Sequence, residues 1–103
     1  MTEHDFNGAL AAFLDTLNAA DLGAGKVIDR PGTASRKYIP IDYADRGYGV
    51  YCFVESPSGD ILKAETYKKP AKGKRGNIFE PETYLRNSAE FRFGRWLYRE
   101  HNK

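Results

Sequence analysis

Apolar residues near the start of the chain recur at the spacing of a helix. Five large apolar side chains share one stripe: Phe6, Leu10, Phe13, Leu14 and Leu17. The alanines between them favour helix by propensity, and Gly23 is a suitable stop. The pattern predicts a helix over residues 3–20, within a helical segment 1–22, that packs on the core and leaves an acidic face in solvent.

The next segment, residues 21–36, breaks both the helical and the strand period. Glycines and Pro31 interrupt any regular structure in it, and only Lys26–Asp29 has the pattern of a short strand. We interpret the segment as a solvated crossover, with a mobile basic loop beside a ligand as the alternative. Its basic residues, up to the junction with the next element, are Lys26, Arg30, Arg36 and Lys37.

Residues 37–68 predict a three-stranded antiparallel meander. Its strands, about Lys37–Tyr43, Tyr48–Glu55 and Asp60–Lys68, are rich in the Ile, Val, Tyr and Phe that pleated surfaces favour. Asp45–Gly47 marks the first turn and Ser56–Gly59 the second, where Pro and Gly suit turn positions.

The second turn predicts a register. If residues 57–59 form a three-residue loop, Ser56 lies opposite Asp60 and Val54 lies opposite Leu62. The core face then carries Ile39, Ile41, Tyr43, Val50, Cys52, Val54, Leu62 and Ala64. The other face carries Tyr38, Asp42, Tyr51, Phe53, Lys63, Glu65 and Tyr67. A slip of one residue would exchange the two sets.

The last third of the chain begins with a loop and ends with helix. We expect residues 68–76 to leave the sheet as a basic loop through its prolines and glycines. Pro81 suits a first helical turn, so residues 81–100 are predicted to be mostly helical, with an edge strand at 91–99 as the alternative. The fold class is therefore α+β: one domain, 1–103, with a three- to four-stranded antiparallel meander packed by helices at both ends.

Length and composition narrow the classes of protein. The chain has 103 residues, enough for one modest core. Cys52 is its one cysteine, which excludes an intrachain disulfide and fits a reducing cytoplasm. No apolar run is long enough to span a bilayer, and the N-terminus lacks the basic residues of a signal peptide. The 14% aromatic content is high for one small core, so we expect a homo-oligomer, a dimer or higher.

Positive charge is concentrated between Lys68 and Arg75. Five of these eight residues are basic and none is acidic. The whole chain carries 16 basic and 14 acidic residues, a net of +2; without the five cations it would carry 11 and 14, a net of −3. A local positive patch indicates an anionic partner.

Aromatic residues near this patch fit single-stranded nucleic acid, because cations follow phosphates and rings stack on bases. The face with Tyr51, Phe53, Lys63 and Tyr67 is then a stacking platform; a dimer interface or a surface covered by a helix are the alternatives. The candidate nucleic-acid-binding residues are Tyr51, Phe53, Lys63, Tyr67, Lys68, Lys69, Lys72, Lys74 and Arg75.

The sequence contains no convincing catalytic pattern. His4 and His101 lie at opposite ends, and Cys52 is predicted to be a buried strand residue. The carboxylates lack metal-ligand spacing, and Gly73–Gly76 lacks the pattern of a Walker A loop, although its amides could approach an anion. We expect a protein that is not an enzyme and needs no metal or cofactor.

One stretch resembles a family of small tailed-phage proteins. It covers about residues 50–79 and combines a Cys-Phe-Val strand, a Gly-Asp turn, a Lys-Ala strand, an aromatic residue and Lys-x-Pro-Ala-Lys-x-x-Arg-Gly-Asn. Tyr67 occupies the position where many members have Trp. The resemblance implies a phage origin, and hence the host cytoplasm, and it implies little about activity.

Two classes of function follow. The first is a phage-encoded protein that binds single-stranded nucleic acid, DNA in preference, through the basic loop and the aromatic face. The second is a phage effector that binds a host protein or sequesters a nucleotide signal in a defence pathway. Salt separates them, because binding that follows phosphates weakens steeply as salt rises.

Overall fold

The first element is α1, Glu3–Asn18, in a computed structural model that describes residues 3–98. Phe6, Leu10, Phe13 and Leu17 are all buried, which confirms the predicted helix and its apolar stripe. The helix ends against the first strand, because the Asn18 side chain exchanges hydrogen bonds of 2.9 and 2.8 Å with the Val27 backbone. Residues 1–2 and 99–103, and with them His101, lie outside the described part.

Five antiparallel strands follow and pair in chain order. They are β1 (Val27–Asp29), β2 (Tyr38–Tyr43), β3 (Val50–Glu55), β4 (Asp60–Ala64) and β5 (Pro70–Asn77). The short strand at 27–29 and the three strands of the meander were predicted, but β3 begins at Val50 rather than Tyr48. β4 ends at Ala64 rather than Lys68, because the backbone turns there and Glu65 N–H donates to Lys69 O. The α+β class is confirmed, but the sheet has five strands where three or four were predicted.

The core lies between one face of the sheet and α1. We call this side the inner face; Ile39, Ile41, Cys52, Val54 and Ile61 contribute to it and join the buried side chains of α1 in one cluster. Among residues 3–98, no helix is long and apolar enough to cross a membrane.

The predicted register between β3 and β4 is wrong by one residue. Val54 lies opposite Ile61, and Phe53 lies opposite Leu62. The connection has four residues, because the Gly59 N–H donates to Glu55 O over 2.7 Å and Gly59 takes a positive φ of 82°. Ile61 therefore replaces Leu62 on the inner face, where Ala64 was also expected. Leu62 is buried on the opposite face and Ala64 is half-buried.

A bulge in β3 changes the face of Tyr51. The pairing passes from Ile41 opposite Cys52 to Asp42 opposite Val50, so Tyr51 is an extra residue in β3. An extra residue breaks the alternation of faces. Tyr51 consequently joins the buried cluster instead of the outward face on which it was placed, while Val50, predicted to be core, is only half-buried.

The basic segment is a strand and not the predicted loop. β5 pairs with β4 from Asn77 opposite Asp60 to Pro70 opposite Ala64, with two register shifts between them. Its other edge has no strand partner within the described residues. Pro and Gly are tolerated on an edge strand and at its irregular positions.

The C-terminal part forms short helical turns. They are α2 (Glu82–Leu85) and 3-10 turns at Ser88–Glu90 and Arg92–Tyr98. Phe93 and Gly94 take positive φ angles of 56° and 64°, which interrupts the last turn and prevents one long helix. The helical prediction holds in this shorter form, and the alternative of an edge strand at 91–99 is wrong over its described residues.

Candidate nucleic-acid interface

Three apolar side chains form a row across the face opposite the core, which we call the outer face. Pro40 lies opposite Phe53, and Phe53 lies opposite Leu62. Leu62 in turn lies opposite Lys74 of β5. The row is an apolar floor that ends at a cation on the edge strand.

Two neighbouring clefts lie over this floor. The first, of about 550 Å³, is bounded by segment 30–38 and by residues 67–68 of the turn between β4 and β5. The second, of about 460 Å³, runs along residues 69–74. Tyr38 lines both, so the clefts are neighbours, and we call the two together the outer groove.

Cations dominate the lining of the outer groove. The first cleft is lined by Arg30, Arg36, Lys37 and Lys68. The second is lined by Lys69, Lys72 and Lys74. Two lining acids, Glu55 and Asp60, belong to the second cleft, and no described acid lines the first. The lining of the groove therefore has seven cations and two acids.

The lining acids neutralise little of this charge. Lys37 Nζ lies 3.8 Å from Glu55 Oε2, and Lys74 Nζ lies 4.0 Å from Asp60 Oδ1. The two lysine side chains are 66% and 65% exposed, and ion pairs so exposed contribute little. Both lysines are free to turn towards a phosphate.

Tyr67 is held at the edge of the first cleft by Arg30. The Arg30 guanidinium lies 4.3 Å from the centroid of the Tyr67 ring, and two of its nitrogens donate to the Asp42 carboxylate over 2.7 and 2.9 Å. The bond to Asp42 raises the pKa of Arg30, which stays charged. The ring remains 63% exposed, so it is oriented and still available for stacking.

The loop that supplies the other arginine is fixed by a buried threonine. Thr33, 2% exposed, donates its hydroxyl to Arg30 O over 2.7 Å, and its own carbonyl accepts the Arg36 N–H at 2.9 Å. Arg30 N–H donates to Pro40 O over 2.9 Å. The backbone that carries Arg30 and Arg36 is therefore ordered on the sheet.

The structure brings most of the sequence-predicted site residues together. Tyr67, Lys68, Lys69, Lys72 and Lys74 all line the outer groove. Phe53 lies on the predicted face, but in the floor of the first cleft with only 1% of its surface exposed. The Phe53 ring is therefore a support and does not offer a stacking surface.

Three sequence-predicted site residues lie elsewhere. Tyr51 is buried, with its hydroxyl donating to Phe91 O over 2.7 Å. Lys63 follows Leu62 in the strand and so faces the other side, where its Nζ lies 4.4 Å from the Tyr98 ring centroid. Arg75 is the extra residue of a β5 irregularity, and its Nε donates to Leu97 O over 2.6 Å.

Sequence reasoning missed the contribution of segment 30–38. Arg30, Arg36 and Lys37 had been noted as basic, but the solvated crossover was preferred to a loop beside the ligand. Tyr38 was placed on the outward face without a binding role. The signal was the spread of cations over the segment, yet only the folded chain brings it next to Tyr67 and Lys68.

Two other kinds of site, a metal centre and a reactive thiol, are the remaining chemical possibilities that the sequence raised. Among them, no group of three or more His, Cys, Asp or Glu side chains is placed to hold a metal ion. Burial raises the pKa of the Cys52 thiol, which is fully enclosed and therefore remains protonated. The arrangement in the outer groove favours binding of an anion with a flat ring.

Residues 26–99 match a family of unknown function, DUF7717, and the chain belongs to that family. The matched residues contain all five strands and the whole lining of the outer groove, whereas α1 precedes them. No curated protein and no solved structure matches the chain.

Proposed function

We propose that this member of DUF7717 binds single-stranded nucleic acid along the outer groove, with single-stranded DNA as the favoured ligand. The observation that carries the proposal is the meeting of seven cations and the exposed Tyr67 ring in one groove. These residues come from two separate segments, 30–38 and 67–74, which the fold places side by side.

The lysines and the tyrosine of the groove would contact different parts of the ligand. Lys69 precedes β5, Lys72 and Lys74 lie within it, and all three line the second cleft. Cations spread along one segment suit successive phosphates of an extended backbone. Tyr67 offers its ring to an unpaired base. A duplex keeps its bases stacked on each other, so the ring would add to the affinity for single strands only.

The test is fluorescence polarisation with labelled single-stranded DNA, single-stranded RNA and duplex DNA over a range of salt. Changing Lys69, Lys72 and Lys74 together to Gln removes three charges and keeps most of the side-chain length. We expect weaker binding to every nucleic acid. The slope of log affinity against log salt should become shallower by roughly two units, at about 0.7 for each lost contact.

A matched control removes the same charge elsewhere. Lys26, Arg92 and Arg95 are exposed and do not line the outer groove. Changing these three to Gln should leave the salt slope nearly unchanged. The proposal fails if the parent protein binds no nucleic acid at low salt, or if both triple variants behave alike.

A second candidate function, binding of a host protein, is favoured by exposed rings away from the groove. Tyr48, Phe93 and Tyr98 are 55%, 47% and 67% exposed and line a cleft of about 170 Å³ beside Lys63. Aromatic residues are enriched in protein interfaces, and the same rings could instead pair two copies of the chain. Light scattering at micromolar concentration separates a dimer from the 11.6 kDa monomer, and Phe93→Ser should abolish such a dimer.

A further inference from the structure

We propose that the first cleft is a pocket for a nucleoside monophosphate, with its base against Tyr67 and its phosphate among the lining cations. Two sources would supply this group: the phosphate-bearing end of a single strand, or a free nucleotide. The strand-end source rests on the function proposed above and refines it; the free-nucleotide source does not depend on it.

The lining of the first cleft distinguishes it from the rest of the groove. Its four cations come from two segments, with Arg30, Arg36 and Lys37 in one and Lys68 in the other. No described acid lines it, whereas the second cleft has two. Arg30 and Lys37 lie beside Asp42 and Glu55, which leaves Arg36 and Lys68 as the cations of the cleft without a described ion pair. A phosphate monoester carries about −1.5 to −2 at pH 7, more than an internal diester, so it gains more from this cluster of cations.

The volume and the walls suit a nucleotide. At about 550 Å³, the cleft falls within the roughly 300–1,000 Å³ of ordinary small-molecule sites. Pro40 and Phe53 make its floor apolar, and the Tyr67 ring stands at its edge. An apolar floor, an exposed ring and converging cations match the three parts of a nucleotide.

Arg30 is prepared for this role by its contacts. Asp42 and the Tyr67 carbonyl engage Nε and Nη2, and within the described residues Nη1 has no hydrogen-bond partner. The side chain is 17% exposed and held in one orientation. Its remaining donors can meet a phosphate without the cost of first ordering the side chain.

The experiment compares single-stranded oligonucleotides of one sequence with a 5′-phosphate, a 3′-phosphate or neither. We expect one of the phosphorylated strands to bind about tenfold more tightly than the unphosphorylated one, a difference of about 1.4 kcal/mol. In Arg36→Gln, the ratio of these affinities should fall to near one. Arg95→Gln, which removes an exposed arginine outside the cleft, should preserve the ratio.

Competition with small molecules identifies the source. Adenosine monophosphate, adenosine and inorganic phosphate are each added to the complex, and the direct binding of the monophosphate is measured by calorimetry. Displacement by the monophosphate alone supports the free-nucleotide source, and an end-phosphate preference without displacement supports the strand end. Inorganic phosphate competing as well as the nucleotide would overturn the pocket for a nucleoside.

The two proposals fail separately. If strands bind equally with and without an end phosphate and the monophosphate neither binds nor competes, the pocket is wrong and the strand-binding function stands. If the monophosphate binds and no strand does, the strand-binding function is wrong and the pocket stands. If neither binds at low salt, both proposals are wrong.

Discussion

The Tyr51 hydroxyl accepts a hydrogen bond from Trp96 Nε1 at 2.9 Å and donates one to Phe91 O at 2.7 Å. Both partners belong to the C-terminal turns, so this one oxygen joins β3 to the last described part of the chain. Trp96 and Phe91 are 0% and 2% exposed, so these hydrogen bonds are shielded from bulk solvent.

Tyr51→Phe should therefore destabilise the protein without weakening nucleic-acid binding. The change leaves the Trp96 N–H unpaired in the core, while the Phe91 carbonyl keeps its bond from the Gly94 N–H. We expect a cost of about 1–3 kcal/mol in the free energy of unfolding. Urea denaturation measures that loss, and Tyr48→Phe, at an exposed tyrosine, is the control. If Tyr51→Phe instead lost affinity for nucleic acid and kept its stability, Tyr51 would be a binding residue as the sequence predicted.

Arg75→Lys should lower stability and preserve the salt slope. The change keeps the positive charge but loses the fork that reaches Leu97 O and Gly73 O. We expect a loss of about 1–2 kcal/mol in the free energy of unfolding, since hydrogen bonds to a charged group are disrupted. A shallower salt slope in Arg75→Gln, which removes the charge as well, would show that Arg75 contacts phosphate after all.

Tyr67→Ala should reduce the preference for single strands and leave the salt slope nearly unchanged. The lost ring removes about 1–3 kcal/mol of stacking for each base that contacts it. Tyr67→Phe keeps the ring and serves as the matched control, with affinity expected close to that of the parent. Equal losses in the two variants would mean that the hydroxyl, rather than the ring, binds the ligand.

Stability should decline in strongly alkaline solution. Burial raises the pKa of Tyr43 from 10.0 to about 12, and burial also raises the pKa values of Tyr51 and Tyr84. Between pH 10 and about 12 the unfolded chain loses the Tyr43 proton while the folded chain retains it, so the free energy of unfolding falls as pH rises.

Tyr43→Phe isolates the contribution of this one group. The variant should lose less stability than the parent between pH 10 and pH 11, as measured by denaturant titrations at each pH. Below pH 9, where the side chain is neutral in both states, the difference between the two proteins should not depend on pH. If the variant and the parent lose stability equally over the whole pH range, Tyr43 is not a cause of the alkaline decline.

The sequence predicted those elements whose local pattern agrees with their final packing. The apolar stripe of α1 and the turns that bound β2, β3 and β4 are local signals, and the structure keeps them. β5 was missed because an edge strand has little need of apolar alternation. Its Lys, Gly and Pro residues have the composition of a loop, and pairing with β4 decides its structure.

The site was also predicted only in part, because local signals were again correct and contacts between distant segments were missed. Lys72 and Lys74 lie in the groove because a basic run has to reach solvent, whichever structure it adopts. Tyr51 was misplaced by a bulge, which has no periodic signal in the sequence. Arg36 was undervalued because its position beside Lys68 depends on contacts between segments about thirty residues apart.

The hydrogen bond from Arg75 to Leu97 has a practical consequence for following binding. Leu97 is the neighbour of Trp96, which is the single tryptophan of the chain and is fully buried on the inner side of the sheet. A ligand in the outer groove does not touch the indole. A change on binding in the emission of Trp96, excited at a wavelength that tyrosine does not absorb, would therefore report a rearrangement that reaches the core from β5, for which the bond from Arg75 to Leu97 offers a route. Constant emission would indicate that the surroundings of Trp96 stay unchanged when the groove is occupied.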